Sequence, residues 1–193
     1  MTRLSMTRRP FLRTCGAGLA VAAPLAALGG CTSQDAENFA KAFGELPKLI
    51  NDYRDANGLD KIPLSPALTA VAMKHVIDLI SYQPEKNCGG NLHSWSNNGP
   101  WKGGCFDLNN SSTHPIMWGK PKEIAQYPDS GYEIAYWSAS TATPQGALLK
   151  WQGGPHNDVI LNKGATWGPK TWKALGAVVG GNYACAWFGV VEQ

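Results

Sequence analysis

Apolar positions recur along this chain with two different periods. Ala36 to Asn57 reads as a helix closed by Gly58, which takes a left-handed C-terminal conformation without penalty. Pro47 falls inside this stretch and is expected to break or restart it. Ser65-Pro66 then supplies an N-cap with proline at the first helical position. Leu68, Val71, Ala72, His75, Val76 and Leu79 follow at helical spacing up to about Tyr82, marking an inner face. Residues 83–131 show neither period and are rich in Gly, Asn, Ser, Pro and Trp. A loop that long is usually functional or stapled. A short helix is expected around Pro144–Trp151. The chain closes with WKALGAVVGGNYACAWFGVV, two apolar runs about Gly180-Gly181-Asn182 that read as a hairpin. Helices first and an antiparallel hairpin last predict a layered α+β fold, in one domain without repeats or linkers.

The first thirty residues follow a different pattern. A basic opening, MTRLSMTRRPFLR, precedes a small apolar run from Gly16 to about Gly30, long enough for a signal sequence and short for a membrane span. Thr7-Arg8-Arg9-Pro10-Phe11-Leu12-Arg13 resembles a twin-arginine export motif. Leu28-Gly29-Gly30-Cys31 resembles a lipobox, whose cysteine becomes the lipidated first residue. A plain signal peptide cut after the alanine-rich stretch is the alternative. The expected organisation is a signal peptide over 1–30, a tether over 31–35 that ties Cys31 to a membrane, and a folded domain over 36–193. The expected location is the cell envelope (periplasm or outer membrane) or outside the cell.

Removing that leader changes the charge. Its four arginines leave 13 of the 17 basic residues against all 14 acids, so the remaining chain is near −1. No basic run remains to bind nucleic acid. Cysteine usage agrees with export. Cys88 and Cys105 lie in glycine-rich, loop-like segments and form the expected disulfide, two unpaired loop cysteines being the alternative. Cys185 lies in the apolar run YACAWFGVV and is expected to be a buried free thiol.

The sequence contains no Gly-x-Ser-x-Gly elbow, phosphate loop, dinucleotide fingerprint or HExxH. A Cys88–His93 nucleophile pair competes with the disulfide. His75 lies on the inner face of the second helix and reads as a hydrogen-bonded core histidine. Nothing marks His114. His93, in NLHSWS, and His156, in WQGGPHNDVIL, each sit where a loop meets an element, and Glu133 lies between them in sequence. Two imidazoles and a carboxylate can hold zinc or orient a water. Trp95, Trp101 and Trp118 could line a groove for sugar rings or an apolar ligand. They could equally fold down as the loop's own small core.

Five stretches occur in an order that resembles the CAP superfamily of cysteine-rich secretory, antigen 5 and pathogenesis-related proteins, in its bacterial form. LINDYRDANGLDKIPLSPALTAVAMKHV resembles the opening, with an asparagine and an arginine ahead of a Gly-Leu turn. NLHSWS resembles the segment with the first site histidine. GYEIAYW resembles the Gly-Glu-Asn motif, with Tyr132 intervening and Ile134 where asparagine is usual. LLKWQGGPHNDVIL resembles the tryptophan helix and second site histidine, and ALGAVVGGNYACAWFG the terminal hairpin. The resemblance spans about Leu49 to Phe188.

It implies a three-layer α-β-α sandwich with a central antiparallel sheet and a cleft of two histidines and two acids. His93, Glu133 and His156 match three of those places. Gly154 stands where the second acid usually falls, and the Trp151–His156 spacing is short. The implied function is binding of a lipid, glycan or protein ligand at the envelope, in a cleft containing His93, Glu133 and His156 that could also take a divalent metal such as zinc. The alternatives are a metal-dependent hydrolase, with zinc on His93 and His156 and Glu133 as ligand or base, and a structural lipoprotein with a vestigial cleft. In the last, a bonded His93–Glu133 pair pins the long loop to the sheet.

Overall fold

The structure is a computed structural model that describes residues 33–193, with side chains from Phe43 onward. The twin-arginine and lipobox motifs, Cys31 included, lie outside the described residues. The chain divides into two units, Met1–Phe39 and Ala40–Gln193. Of the first, only backbone in the opening turns of α1 is described.

Helix α1 runs Ser33–Ala56 without a break at Pro47. It begins inside the segment expected to be a tether. Leu46 and Ile50, on either side of the proline, are both fully buried. Their common burial holds the two halves in one helix and offsets the hydrogen bond that Pro47 cannot donate. Gly58, at φ 73°, ends the helix as expected, with Leu59 N–H donating to Arg54 O at 3.0 Å. Asn51 brackets the backbone of Ile62 at 2.8 and 2.9 Å, and Arg54 donates to Ile160 O, Asn162 Oδ1 and Asp60 O. The asparagine and arginine of the opening motif therefore fasten α1 to the chain that follows.

Helix α2, Pro66–Tyr82, is capped by the Ser65 hydroxyl, which accepts from Leu68 N–H at 3.2 Å. Its six predicted inner-face residues are all buried, and so is Asp78. Residues 83–130 are more regular than the sequence suggests. They contain α3 (Pro84–Asn87), one 3-10 turn (Ser111–Thr113), α4 (His114–Trp118) and α5 (Lys120–Ala125). The Cys88–Cys105 disulfide staples this region. Strand β1, Gly131–Trp137, is followed by α6 (Pro144–Gln152), α7 (His156–Ile160), α8 (Gly164–Trp167), β2 (Ala174–Gly180) and β3 (Tyr183–Gly189). The hairpin turns at Gly181, whose φ of 54° suits a two-residue turn.

The sheet is antiparallel in the order β1-β3-β2, with β3 in the middle. β3 is buried along its whole length, as a strand covered on both faces must be. Ala184, Ala186 and Phe188 face one core, with Ile134, Trp151, Trp172 and α1. Tyr183, Cys185 and Trp187 face the other, with α2, Trp95 and Tyr127. The result is the three-layer α-β-α sandwich with a central antiparallel sheet. Helix α2 lies so close to β2 at Gly176 that a Cβ there would fall inside the backbone of Leu68 and Thr69.

Candidate functional site

Glu133 is the centre of the site, and strand alternation puts it there. Its register partner is Trp187, so both point to the α2 side of the sheet. His75, one of the inner-face positions of α2, meets it: Nδ1 lies 2.5 Å from Glu133 Oε1. From the loop, His93 Nδ1 lies 2.9 Å from Oε2. One buried carboxylate is thus clamped by two imidazoles. The side chains of His75 and Glu133 are fully buried, while that of His93 is 17% exposed.

Burial pushes the Glu133 carboxyl up. The charge of His75 and the hydrogen bonds from His75 and His93 outweigh it and hold the group at about 2. The ionised carboxylate only accepts, so both Nδ1 atoms donate to it. His75 Nε2 also faces an acceptor, Ser94 O at 3.1 Å, so His75 donates from both sides of its ring. Trp95 stacks on that ring, with centroids 4.0 Å apart and planes within 8°. The Cys185 thiol lies 3.8 Å from His75 Nδ1. It is buried and free, as expected, and burial and then Glu133 push its pKa well above the usual thiol value.

The loop bearing His93 is fixed from several sides. Asp78 Oδ2 accepts Ser96 N–H at 2.8 Å and Oδ1 accepts the Ser96 hydroxyl at 2.5 Å. Ser94 Oγ accepts Phe106 N–H at 3.0 Å, and Trp95 and Gly104 exchange backbone bonds of 2.9 and 3.0 Å. Buried Lys120 donates to Lys102 O and to Glu123 Oε2, beneath the Trp95 ring. Asp78, Ser94 and Lys120 were not legible in the sequence because Ser96, Phe106 and Lys102, which they hold, lie 12 to 18 residues away. It placed His75 in the core with a hydrogen bond but did not identify the partner. An inner helix face that is otherwise apolar was the available signal.

His156, at the start of α7, brings its ring centroid to 6.4 Å from that of His93. Burial, then His93, lowers its pKa to about 4 against the pull of Glu133. It is a neutral imidazole at neutral pH. Beside it lies a 690 Å³ cleft lined by Tyr136, Leu149, Lys150, Gly154 and Pro155, among others. The three tryptophans assigned to a groove do not line it. Trp95 is only 2% exposed and belongs to the core. Trp101 packs edge-on against Trp95 and donates to Ser96 O at 3.0 Å. Trp118 packs between His114 and Tyr132. They form the loop's own small core, because its backbone turns them inward toward α2 and β1.

The expected metal set of His93, Glu133 and His156 fits zinc poorly. Among the described residues the three do not bring one ligand atom each within 4.8 Å of one another; His75, Glu133 and Cys185 do. That buried trio leaves no room for an ion, since His75 Nδ1 and Glu133 Oε1 are bonded to each other at 2.5 Å. In the cleft both carboxylate oxygens are engaged, and position 154 is glycine. Two imidazoles remain, one protein ligand short of the three that catalytic zinc sites use.

Fold and site together define a three-layer α-β-α domain with an imidazole-lined cleft above a buried carboxylate. Residues 48–168, more than half of the chain, match the profile of the cysteine-rich secretory protein family, CAP. The chain belongs to that family. A solved structure described as an extracellular protein containing an SCP domain, from Bacillus anthracis, shares the fold with a TM-score of 0.56 at 15% identity. The match covers 86% of this chain and 45% of that one, so this chain spans less than half of its neighbour's length. No curated protein sequence matches this one.

Proposed function

We propose that this CAP domain is an exported envelope lipoprotein, anchored through Cys31, that binds a lipid, glycan or protein ligand in the cleft at His156 and does not turn it over. The observation that carries the reading is the engagement of Glu133. Its two oxygens each accept from an imidazole, and the carboxyl is held at about 2, so it is a poor base toward water. The leader sequence and the Cys88–Cys105 disulfide support export. No helix among the described residues is long and apolar enough to cross a membrane.

The cleft itself favours an amphiphile. Leu149 is 71% exposed at its wall, next to Lys150 and the imidazole of His156. That combination suits an apolar chain ending in an anionic head. The test is a titration of the protein with phosphatidylglycerol vesicles and with soluble glycan fragments, beside Leu149→Asp and His156→Ala. Saturable binding weakened in both variants supports the reading. Hydrolysis of an ester, amide or glycoside that chelator abolishes and Glu133→Gln removes would establish the metal-dependent hydrolase instead. Unchanged binding in both variants would leave the cleft without a role.

A further inference from the structure

A second cavity, of 540 Å³, lies among the end of α2, α3 and the β2–β3 turn. It shares no lining residue with the cleft at His156. Three of its residues, Ile80, Leu92 and Trp137, give it an apolar wall. Ile80 and Trp137 are large hydrophobics left 45% and 52% exposed. At the same cavity stands a carboxylate, Glu85, only 7% exposed.

The two oxygens of Glu85 are treated differently. Oε1 accepts the Tyr183 hydroxyl at 2.8 Å. Burial, and then the bond to Glu85, push that hydroxyl up to about 12, so Tyr183 stays a donor at any physiological pH. Oε2 is buried and meets no donor. A buried acceptor without a partner is rare in folded proteins and marks a place where a group belongs. The neighbouring cation does not fill it, since Lys86 Nζ is held by Gln83 Oε1 at 2.6 Å.

We propose that this cavity is a binding site for an organic cation that carries N–H donors on an apolar stem. An N–H of the cation would satisfy Glu85 Oε2 as a charge-assisted hydrogen bond. The stem would lie along Ile80 and Leu92, and the Trp137 ring adds a face that attracts positive charge. A primary ammonium or a guanidinium has this chemistry. A quaternary ammonium has the charge without the donor, and an alcohol has a donor without the charge. Two sources present the right group, a free polyamine and the side chain of a basic residue in a peptide.

The test is a calorimetric titration of the purified protein with n-butylammonium, tetramethylammonium and 1-butanol. Saturable butylammonium binding, at least tenfold tighter than either control, is the expected result. No saturable butylammonium binding, or equal binding of tetramethylammonium, overturns the proposal. Glu85→Gln keeps the shape, replaces the acceptor with an amide and should abolish binding while near-UV circular dichroism stays native. Undiminished affinity in that folded variant also overturns it. Lys86→Ala alters an exposed residue and leaves the core intact. It should tighten butylammonium several-fold by removing the resident positive charge at the rim, and unchanged or weaker affinity counts against the site. Titrations with 1,4-diaminobutane and with Nα-acetyl-lysine methylamide separate the two sources. The tighter ligand identifies the source, and failure of both overturns the assignment.

Discussion

Glu133→Gln tests the central claim about the site, because it keeps the shape of the side chain and removes its charge. In the folded protein the carboxyl is held at about 2, against 4.5 for an unperturbed glutamate. The group is fully buried, so its shift is not diluted by solvent. At 1.36 kcal/mol per pKa unit, the depressed value corresponds to about 3 kcal/mol of stability at neutral pH. The sign follows from the depression. The unfolded chain takes up the proton first, so the contribution is complete above the unfolded value of 4.5 and is lost as pH falls toward 2. By pH 2 only about a few tenths of a kcal/mol would remain. Urea unfolding followed by far-UV circular dichroism at pH 7, 5, 3 and 2 measures this. The gap between wild type and Glu133→Gln should be about 3 kcal/mol at pH 7 and 5 and nearly close by pH 2. A gap that stays constant across this range would mean that Glu133 is not an ionised, doubly clamped carboxylate, and the argument against catalysis would lose its basis.

Four further outcomes follow from the same structure. Zinc titration of the wild type should show weak or no binding, whereas Gly154→Glu should bind measurably tighter, because a Cβ at 154 meets open space beside His156 and the new carboxylate would supply the missing ligand. Reducing the Cys88–Cys105 bond, which closes a loop of 17 residues, should cost about 3 kcal/mol in a denaturation series run with and without reductant. Gly176→Ala should lower stability by about 1–3 kcal/mol or more, since helix α2 leaves no room for the added methyl, and a neutral result in thermal unfolding would contradict that close packing. Thiol labelling read by mass mapping should leave Cys185 unmodified in the native protein and modify it after denaturation, as its burial and raised pKa require.

The parts of the fold that could be read from the sequence are those set by local rules. Ser65-Pro66 and the inner face of α2 depend on capping and a 3.6 period, and the hairpin at Gly181 on turn chemistry; all appear where the pattern places them. Pro47 was misleading because its effect depends on Leu46 and Ile50, whose burial is a tertiary fact. The short helices α3, α4 and α5 were missed because segments of four to six residues carry too few periodic positions to show. In the site, the family motifs located His93, Glu133 and His156. They could not show that His75, on another element, reaches Glu133 first. That contact depends on how α2 lies across β1 and β3, and nothing near His75 in sequence encodes it.

The order of those contacts gives the site its character. Had Glu133 met only His93, one carboxylate oxygen would remain in the cleft to orient a water or a metal. His75 approaches from beneath and takes that oxygen, and Trp95 stacked on the His75 ring keeps it there. His93 is thereby tied through Glu133 to α2 and the sheet, and Asp78 and Ser94 hold the segment that follows it. The acid that resembles a catalytic group instead fixes the position of His93. His156 is not bound into that network by Glu133 and stays neutral at the rim, beside glycine where a second acid would stand. The proposed ligand binding rests on a cleft with a neutral imidazole and an exposed Leu149 beside Lys150. Glu133, held at about 2 by two imidazoles, is a weak base for hydrolysis, which supports the proposed binding role over the metal-dependent alternative.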